Sequence, residues 1–363
     1  MNTDEIDGII KDWGERLHYS PLKGAKGRNI RSGGNIKPAK RAPKPSGPAT
    51  RARVARTAKK TPEVMVKIPP GRGCRNMAQI KEHMDYIARA GHVELEDENG
   101  DIHLGKEALS EVNDAWAKGK IGIPYEGQKR KEAFKMILSM PPGTDRQSVK
   151  DAARQFAKDQ FGNHQYVFAS HEDENHPHVH LTIKAVDHNG VRMNPRKGDL
   201  QFWREQFAEK LRDQGIEANA TPRRERGVVQ KAEKQAVRHI DADFKQGRRK
   251  APARVSEAQR IEAEAEVKTG KKRNNPVKEN ISFARKDAQK AYGEIAKTLA
   301  TGDWVEKHLA LDIVQLVQSM PPLMTKHEEL VQALREKPLN PTKGKSLKSL
   351  EVERDKPSDE HSR

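Results

Sequence analysis

The segment HEDENHPHVH, residues 171–180, holds four of the fourteen histidines of the chain in ten positions. His178 and His180 begin the run HVHLTIKAV, which predicts a β-strand. Side chains at i and i+2 of a strand lie on the same face, so both imidazoles point the same way. His171 ends the preceding predicted strand, and antiparallel pairing brings it beside them. Three neutral imidazoles that converge in this way are typical of a metal site.

The other polar residues of this segment have less defined places. His176 shares the strand parity of the two later histidines, but Pro177 separates it from them and places it in the turn, so its role as a ligand stays open. Glu172 and Asp173 are close enough to orient a ligand histidine or to take a proton. The alternative is a histidine-rich surface turn without a metal. The density of histidines at a strand–turn–strand junction favours the metal.

A divalent metal beside a basic surface suggests phosphoryl transfer, because the cation polarises a phosphate oxygen. The nucleophile is then either metal-bound water, which gives hydrolysis, or a side chain, which gives a covalent intermediate. Tyr86, in the predicted helical segment HMDYIARAG, is the first candidate side chain, and Tyr125 is the second. A tyrosine in a helix is more often a packing residue, so its position alone does not decide its role.

Short apolar runs predict the strands that carry these residues, and apolar residues at helical spacing predict the helices around them. The predicted strands are 63–69, 133–139, 165–170, 179–186 and a short one at 191–193, and the predicted helices are 76–90, 104–118, 146–161 and 199–213. This order predicts a mixed α/β (α+β) domain over residues 62–230 in which adjacent strands run antiparallel.

The segments outside this domain differ in composition. Residues 1–20 predict a short amphipathic helix, which folds back on the protein or docks on a partner, and folding back is the favoured interpretation. Residues 21–61 contain thirteen Lys or Arg and no Asp or Glu, which predicts a disordered basic linker. Residues 231–340 predict a mostly helical region, with breaks at Gly302 and Pro321-Pro322, and 341–363 predict a disordered tail.

The bulk composition limits the class of protein. A formal net charge of +17 and an isoelectric point near 9.7 favour a polyanionic partner such as nucleic acid over a small-molecule substrate. Cys74 is the only cysteine, so an internal disulfide is excluded and a reducing cytoplasm is the simplest setting. No apolar run approaches the ~20 residues that span a bilayer, and the acidic N-terminus lacks the pattern of a signal peptide.

Four segments occur in an order that resembles a known family. They are QIKEHMDYIARAG, ILSMPPGTD, HEDENHPHVHL and ATPRRERG, within residues 63–228. In this order they are similar to the motifs of P-type mobilisation relaxases, which include T-DNA border nucleases and belong to the HUH endonucleases. His178-Val179-His180 matches the HUH motif itself. About 60 residues precede the first predicted strand, whereas family members commonly begin near it.

The resemblance implies a fold and a role for each matched residue. The fold is an antiparallel sheet flanked by helices. Tyr86 is implied as the nucleophile, with Asp173 beside the metal histidines, and Ser139 as a contact to DNA near the scissile phosphate. The remaining implied residues are the metal ligands His171, His178 and His180 and the backbone-binding arginines Arg223, Arg224 and Arg226.

The resemblance also implies a function. The protein would be a relaxase that nicks the transfer origin of a mobile element through a 5′-phosphotyrosyl intermediate, with Mg²⁺ or Mn²⁺ as the ion. Its partners would be the origin DNA, accessory proteins of the relaxosome and a type IV coupling protein. It would lie in the bacterial cytoplasm, without membrane insertion, and could pass to a recipient cell with the DNA. The alternatives are a rolling-circle initiator or transposase, a non-catalytic DNA-binding protein and a small-molecule metallohydrolase.

Overall fold

The structure, a computed structural model, describes residues 3–19, 46–69, 74–119, 121–126, 130–228, 230, 232–276 and 278–336. Six strands form one sheet in the order β1-β4-β6-β5-β2-β3, and every neighbouring pair is antiparallel. The strands are β1 (Met65–Lys67), β2 (Leu95–Asp97), β3 (Ile102–His103), β4 (Ala133–Ser139), β5 (Tyr166–His171) and β6 (His178–Lys184). The mixed α/β class with an antiparallel sheet is confirmed.

Eleven helices accompany the sheet in the described part of the chain. Those of the first half are α1 (Thr3–Tyr19), α2 (Gly47–Ala58), α3 (Met77–Ile87), α4 (Lys106–Lys118), α5 (Arg146–Phe161) and α6 (Lys197–Asp213). The others are α7 (Gln235–Lys245), α8 (Arg254–Thr269), α9 (Lys278–Leu299), α10 (Trp304–Gln318) and α11 (Lys326–Glu336). None of these helices combines the length and the apolarity that a bilayer crossing needs.

The two faces of the sheet are covered by different pairs of helices. Helices α5 and α6 cover one face, where alternate strand residues and aromatic helix residues form the largest buried apolar cluster. Helices α3 and α4 cover the other face and form a second buried cluster with Val167 and Ala169 of β5. Strand β6 is therefore buried on both sides, although its residues alternate between apolar and polar side chains.

The chain forms two compact units. The first, residues 1–229 and 276–323, contains the sheet together with a helical bundle of α1, α2, α9 and α10. Ile6, Ile10 and Leu17 of α1 are buried in this bundle, which confirms that the N-terminal helix folds back on the protein. The second unit contains α7, α8 and α11, and His327 of α11 lies 2.9 Å from Glu266 of α8.

The prediction of a disordered basic linker over residues 21–61 is wrong for its last part, where α2 (Gly47–Ala58) forms. Ser46 accepts a hydrogen bond from the backbone of Ala49 and caps α2, whose Val54 is buried in the bundle. Arg51 of α2 bonds Asp7 of α1 and Glu306 of α10. Because these acids are remote in sequence, the local excess of basic residues concealed the helix. Residues 21–45 and the tail at 341–363 lie outside the described residues.

The region predicted to be mostly helical, 231–340, forms five helices in its described residues, which end at 336, and these helices fall into both units. Helices α9 and α10 pack in the bundle of the first unit, whereas α7, α8 and α11 form the second. Gly302 and Pro321-Pro322 do separate successive helices, as the sequence predicts. The predicted boundary near residue 230 coincides with the start of the second unit, and the return of the chain at 276 was not predicted.

Candidate active site

The register of strands β5 and β6 brings the histidines together at one end of the sheet. His171, the last residue of β5, pairs directly with His178, the first residue of β6. His180 follows two residues later on the same face, opposite Ala169 of β5. All three side chains lie on the face that α3 and α4 cover. The antiparallel pairing that the sequence predicts therefore places His171 beside the other two.

The three imidazoles form a compact donor set. One ring nitrogen from each of His171, His178 and His180 lies within 4.8 Å of the other two. The ring centroids of His171 and His180 are 4.5 Å apart, and those of His178 and each of the others are 5.2 Å apart. All three residues are at most 8% exposed. The described residues contain no other group of three or more His, Cys, Asp or Glu side chains that meets this criterion.

Backbone carbonyls fix the tautomers of two of these histidines. Nε2 of His171 lies 2.7 Å from the carbonyl oxygen of Ile87, and Nδ1 of His178 lies 3.2 Å from that of His176. A carbonyl oxygen only accepts, so each of these ring nitrogens carries a proton and donates it. The unprotonated nitrogens, which carry the lone pairs, are then Nδ1 of His171 and Nε2 of His178. Such hydrogen bonds from the second ring nitrogen are usual around metal-binding histidines, and the donor set fits a divalent ion.

Burial keeps these imidazoles neutral. Desolvation, with the neighbouring charges adding to it, lowers the pKa of His180 to about 3. Desolvation also lowers the pKa of His171 and that of His178. Since a metal binds the unprotonated nitrogen, a site that disfavours protonation presents its lone pairs at neutral pH.

Helix α3 carries Tyr86 to the histidines. Asn76 caps the helix, and Met77, Ile80 and Ile87 pack its apolar face into the cluster beneath the sheet. Tyr86 lies off this face and is 57% exposed, an unusual exposure for a large aromatic residue. Its ring meets that of His180 edge-to-face, with a centroid distance of 6.1 Å. The structure thus places Tyr86 at the histidine cluster rather than in the core.

The backbone turns sharply where α3 ends. Arg89 and Ala90 have φ values of 49° and 56°, in the left-handed region that residues with a side chain rarely adopt. Gly91 follows with φ 91°, and a Cβ atom there would lie 2.8 Å from the backbone carbon of Gly105. This turn directs the Arg89 side chain back over the Tyr86 ring, with its guanidinium carbon 4.9 Å from the ring centroid.

Asp173 and His176 flank the cluster without joining it. Asp173 forms an ion pair with Arg89, which lowers the pKa of its carboxyl group, and it is half exposed. The sequence predicts that Asp173 orients a ligand histidine or takes a proton, and in the structure Arg89 connects it to His171. The ring of His176 lies 5.3 Å from that of His178 and outside the three-histidine group, and its carbonyl oxygen is the part that contacts His178.

Ser139 is the last residue of β4 and pairs directly with His178. It therefore lies on the same face as the histidines, and strand β6 lies between it and His171. The residue is 3% exposed, and its hydroxyl donates a long hydrogen bond of 3.4 Å to the carbonyl oxygen of Met140. The motif order in the sequence and the strand register agree in bringing Ser139 to the cluster.

Two arginines of the segment ATPRRERG have ionic partners inside the protein. Arg224 bonds Asp287 of α9 at 2.6 Å, and Nε of Arg226 lies 3.4 Å from Glu63. Arg223 also has a partner. These contacts tie the end of the sheet domain to neighbouring segments of the first unit. A contact of these residues with the DNA backbone stays a prediction.

Two residues of the site were missed by sequence reasoning. His83 precedes Tyr86 by three positions, and the two rings stack with a centroid distance of 6.2 Å. Arg89 follows Tyr86 by three positions and contacts Tyr86, His171 and Asp173. The spacing of three in HMDYIAR is the signal that could have found both, because residues at i and i+3 share a helix face.

The comparisons with known proteins agree with this geometry. The relaxase family described as the MobA/VirD2-like nuclease domain matches residues 86–216, a range that begins at Tyr86 and ends just after α6. It includes Ser139 and the three histidines and leaves out the arginines at 223–226. No solved structure matches the chain.

Curated relatives support the same assignment. The chain is 28% identical to the T-DNA border endonuclease VirD2 of Rhizobium radiobacter over 187 residues, which cover 47% of this chain and 44% of that protein. It is 28% identical to the protein of the same name from Rhizobium rhizogenes over 51% of this chain and 49% of that one. The protein of the same name from Agrobacterium fabrum is 27% identical over 51% of this chain and 48% of that protein. The chain spans less than half the length of these relatives. Residues 86–216 are thus similar to the nuclease domain of MobA/VirD2-like relaxases.

Proposed function

We propose that the protein is a site- and strand-specific relaxase that nicks the transfer origin of a mobile element and becomes attached to the 5′ end of the cut strand. The family match and the relatives named T-DNA border endonucleases support DNA as the substrate. The single observation that carries the proposal is the exposed ring of Tyr86 against His180, at the edge of a three-histidine cluster.

Tyr86 is the proposed nucleophile. Its phenolic oxygen gives up its proton and attacks the scissile phosphorus in line, and the bond from phosphorus to the 3′ oxygen breaks. The 3′ oxygen takes up one proton and leaves as a hydroxyl, so the number of protons is unchanged. The 5′ phosphate stays linked to the tyrosine, so one phosphoester replaces another and the reaction is reversible. The exposure of Tyr86 allows a polymer to reach it, which a nucleophile at the bottom of a closed pocket would not.

His171, His178 and His180 are the proposed ligands of a divalent ion, with Mg²⁺ or Mn²⁺ as the working metals. The bound ion would polarise a non-bridging phosphate oxygen and neutralise the charge that develops on the phosphoryl group. The carbonyl groups of Ile87 and His176 hold two of the three rings in the orientation that exposes a lone pair. Ser139, which pairs with His178, is the proposed contact to the DNA near the scissile phosphate.

Tyr125 is the alternative nucleophile, and it lies at the other end of α3. The carbonyl oxygen of its neighbour Pro124 accepts from the backbone of Met77, the first residue of the helix. Tyr86 follows Met77 by nine positions, which is a rise of about 14 Å along a helix. Tyr125 is 53% exposed, so it offers a control tyrosine of similar accessibility to Tyr86 that lies away from the histidines.

The test is the covalent adduct with labelled single-stranded origin DNA and Mn²⁺. Tyr86→Phe should abolish the adduct on a denaturing gel and leave DNA binding within a few-fold of the wild type, because only the hydroxyl is lost. Tyr125→Phe should form the adduct normally. An adduct that persists in Tyr86→Phe would show that the nucleophile is elsewhere. Free cut products without any adduct in the wild type would favour hydrolysis.

A rolling-circle initiator or transposase of the same superfamily would pass the adduct test as well. The match to a relaxase family and to T-DNA border endonucleases favours transfer. Accessory relaxosome proteins, a coupling protein of type IV secretion, a cytoplasmic location and passage to a recipient cell belong to the same proposal and rest on the family alone.

A further inference from the structure

We propose that Arg89 is a positioning residue that competes with the divalent metal for His171 and thereby couples metal binding to the placement of Tyr86. This inference rests on the proposed function, since it assumes that the three histidines hold the ion. It concerns a residue of the turn after α3 to which neither the motifs nor the comparisons assign a role.

The competition follows from the chemistry of the two side chains. Nη2 of Arg89 lies 3.2 Å from Nδ1 of His171. Nε2 of His171 carries the proton that it donates to the carbonyl of Ile87, so Nδ1 is the only lone pair of this ring. A guanidinium donates and never accepts, so Arg89 uses that lone pair. A metal ion needs the same lone pair, and the two cannot hold it together.

Arg89 keeps its other contacts when it releases His171. Nη1 donates a hydrogen bond of 3.0 Å to the carbonyl oxygen of Tyr86, the guanidinium covers the Tyr86 ring, and Asp173 forms the ion pair. These contacts hold the guanidinium at the nucleophile whether or not it contacts His171. Any shift of Arg89 on metal binding therefore changes the position of Tyr86. Thermodynamic linkage requires the reverse as well, so a change in the position of Tyr86 changes the affinity for the metal.

The backbone supports a constrained Arg89. Both Arg89 and Ala90 are held with positive φ, a conformation that persists only when the surrounding structure enforces it. The close approach of Gly91 to Gly105 is part of that enforcement. Strain of this kind at the residue that bridges nucleophile and metal ligand is what a positioning role requires.

Calorimetry with Mn²⁺ and DNA-free full-length protein tests the competition. Arg89→Gln should bind Mn²⁺ about tenfold more tightly than the wild type, because a hydrogen bond to a charged group contributes at least a factor of about ten. Arg146→Gln is the matched control. Arg146 binds the carbonyl oxygens of His171 and Glu174 and so anchors the same turn with the same charge, but it contacts no histidine ring.

Arg89→Lys separates the hydrogen bond from the charge. It keeps the positive charge but lacks the planar fork that reaches His171 and Tyr86 together. If the planar guanidinium competes with the metal, Arg89→Lys should also bind Mn²⁺ more tightly than the wild type. The same variant keeps the test available if Arg89→Gln does not fold. Equal or weaker Mn²⁺ binding in both variants, or equal tightening in Arg146→Gln, would overturn the competition.

The covalent adduct tests the coupling to Tyr86. At saturating Mn²⁺ both Arg89 variants should form the adduct more slowly than the wild type, despite their tighter metal binding. A wild-type rate would overturn the coupling. Failure of this inference is distinguishable from failure of the proposed function: if the wild type binds Mn²⁺ and forms the adduct, only the role of Arg89 is in question. If the wild type does neither, both are wrong.

Discussion

The two faces of strand β6 differ in what their buried side chains do. On one face, Val179, Leu181 and Ile183 pack with α5 and α6 in the largest apolar cluster of the molecule. On the other, His178, His180, Thr182 and Lys184 are equally buried but polar. A single seven-residue strand thus supplies both the core and the candidate site, one residue out of phase.

The contrast between the two faces shows how this fold combines stability with chemistry. Apolar side chains lose little by burial, and their contacts hold the strand in register. Buried polar groups cost free energy unless they are paired. His178 is paired with the carbonyl oxygen of His176 and Lys184 with the side chain of Gln165, which offsets part of that cost. The contacts of the apolar face fix the register of β6. That register brings His171 opposite His178 on the polar face. Substitutions on the two faces should therefore affect different properties.

The largest effect is expected on the polar face. His178→Ala should weaken Mn²⁺ binding and adduct formation together by at least about 10–100-fold, since loss of an outer contact alone commonly costs that much. Thermal stability without metal should change less than on truncation in the apolar cluster, because the ring of His178 packs against other imidazoles. Calorimetry and the adduct gel measure the two effects. His180→Ala should behave in the same way.

His176→Ala is the matched control for these variants. It removes an imidazole from the same turn but keeps the backbone carbonyl that accepts from His178. Its effect on Mn²⁺ affinity should be much smaller. Unchanged metal binding in His178→Ala would contradict the proposed metal site, and an equal loss in His176→Ala would add a fourth ligand to it.

The second effect is expected on the apolar face. Leu181→Ala, at a residue that is 1% exposed, should lower the free energy of unfolding by about 2–5 kcal/mol. Below its melting temperature the variant should bind Mn²⁺ with nearly wild-type affinity. Urea unfolding and calorimetry on the same sample test this. Loss of metal affinity in a folded Leu181→Ala protein would show that the two faces are not independent.

Much of the sheet could be predicted because its signal is local. The alternation in β6 and the apolar runs of β4 and β5 place those strands within two residues of their observed bounds. Strands β2 and β3 have three and two residues and contain Glu96, Asp97 and His103, so they carry little apolar pattern. Strand β2 forms because β5 provides a pairing edge, and β3 pairs in turn with β2, and neither edge lies within the local sequence of these strands.

The candidate site divides in the same way. Three histidines could be placed together from strand parity and antiparallel pairing, which are local rules. The position of Tyr86 beside His180 depends on the packing of α3 against the sheet, and only the family resemblance suggested it. Arg89 depends on the turn at residues 89–91, whose positive φ values at Arg and Ala contradict ordinary preferences.

The smallest of the predicted effects concerns His83, the buried histidine that stacks on Tyr86. Desolvation, and secondarily the charge of Lys135, lowers the pKa of His83 to about 3, from an ordinary value of 6.5. The unfolded chain therefore binds a proton near pH 6 that the folded protein excludes. Stability is lost as the pH falls below 6.5, and the loss continues until the folded pKa near 3 is reached.

His83→Phe should remove this part of the acid sensitivity. Between pH 7 and pH 5, the free energy of unfolding of the wild type should fall by up to about 2 kcal/mol more than that of the variant. Urea unfolding in a chelator measures it, so that metal binding does not contribute. His92→Phe is the control, because it removes an exposed imidazole rather than a buried one. Equal pH dependence in the wild type and His83→Phe would show that His83 takes up its proton without unfolding. Water would then reach the imidazole of His83 more easily than its 8% exposure indicates.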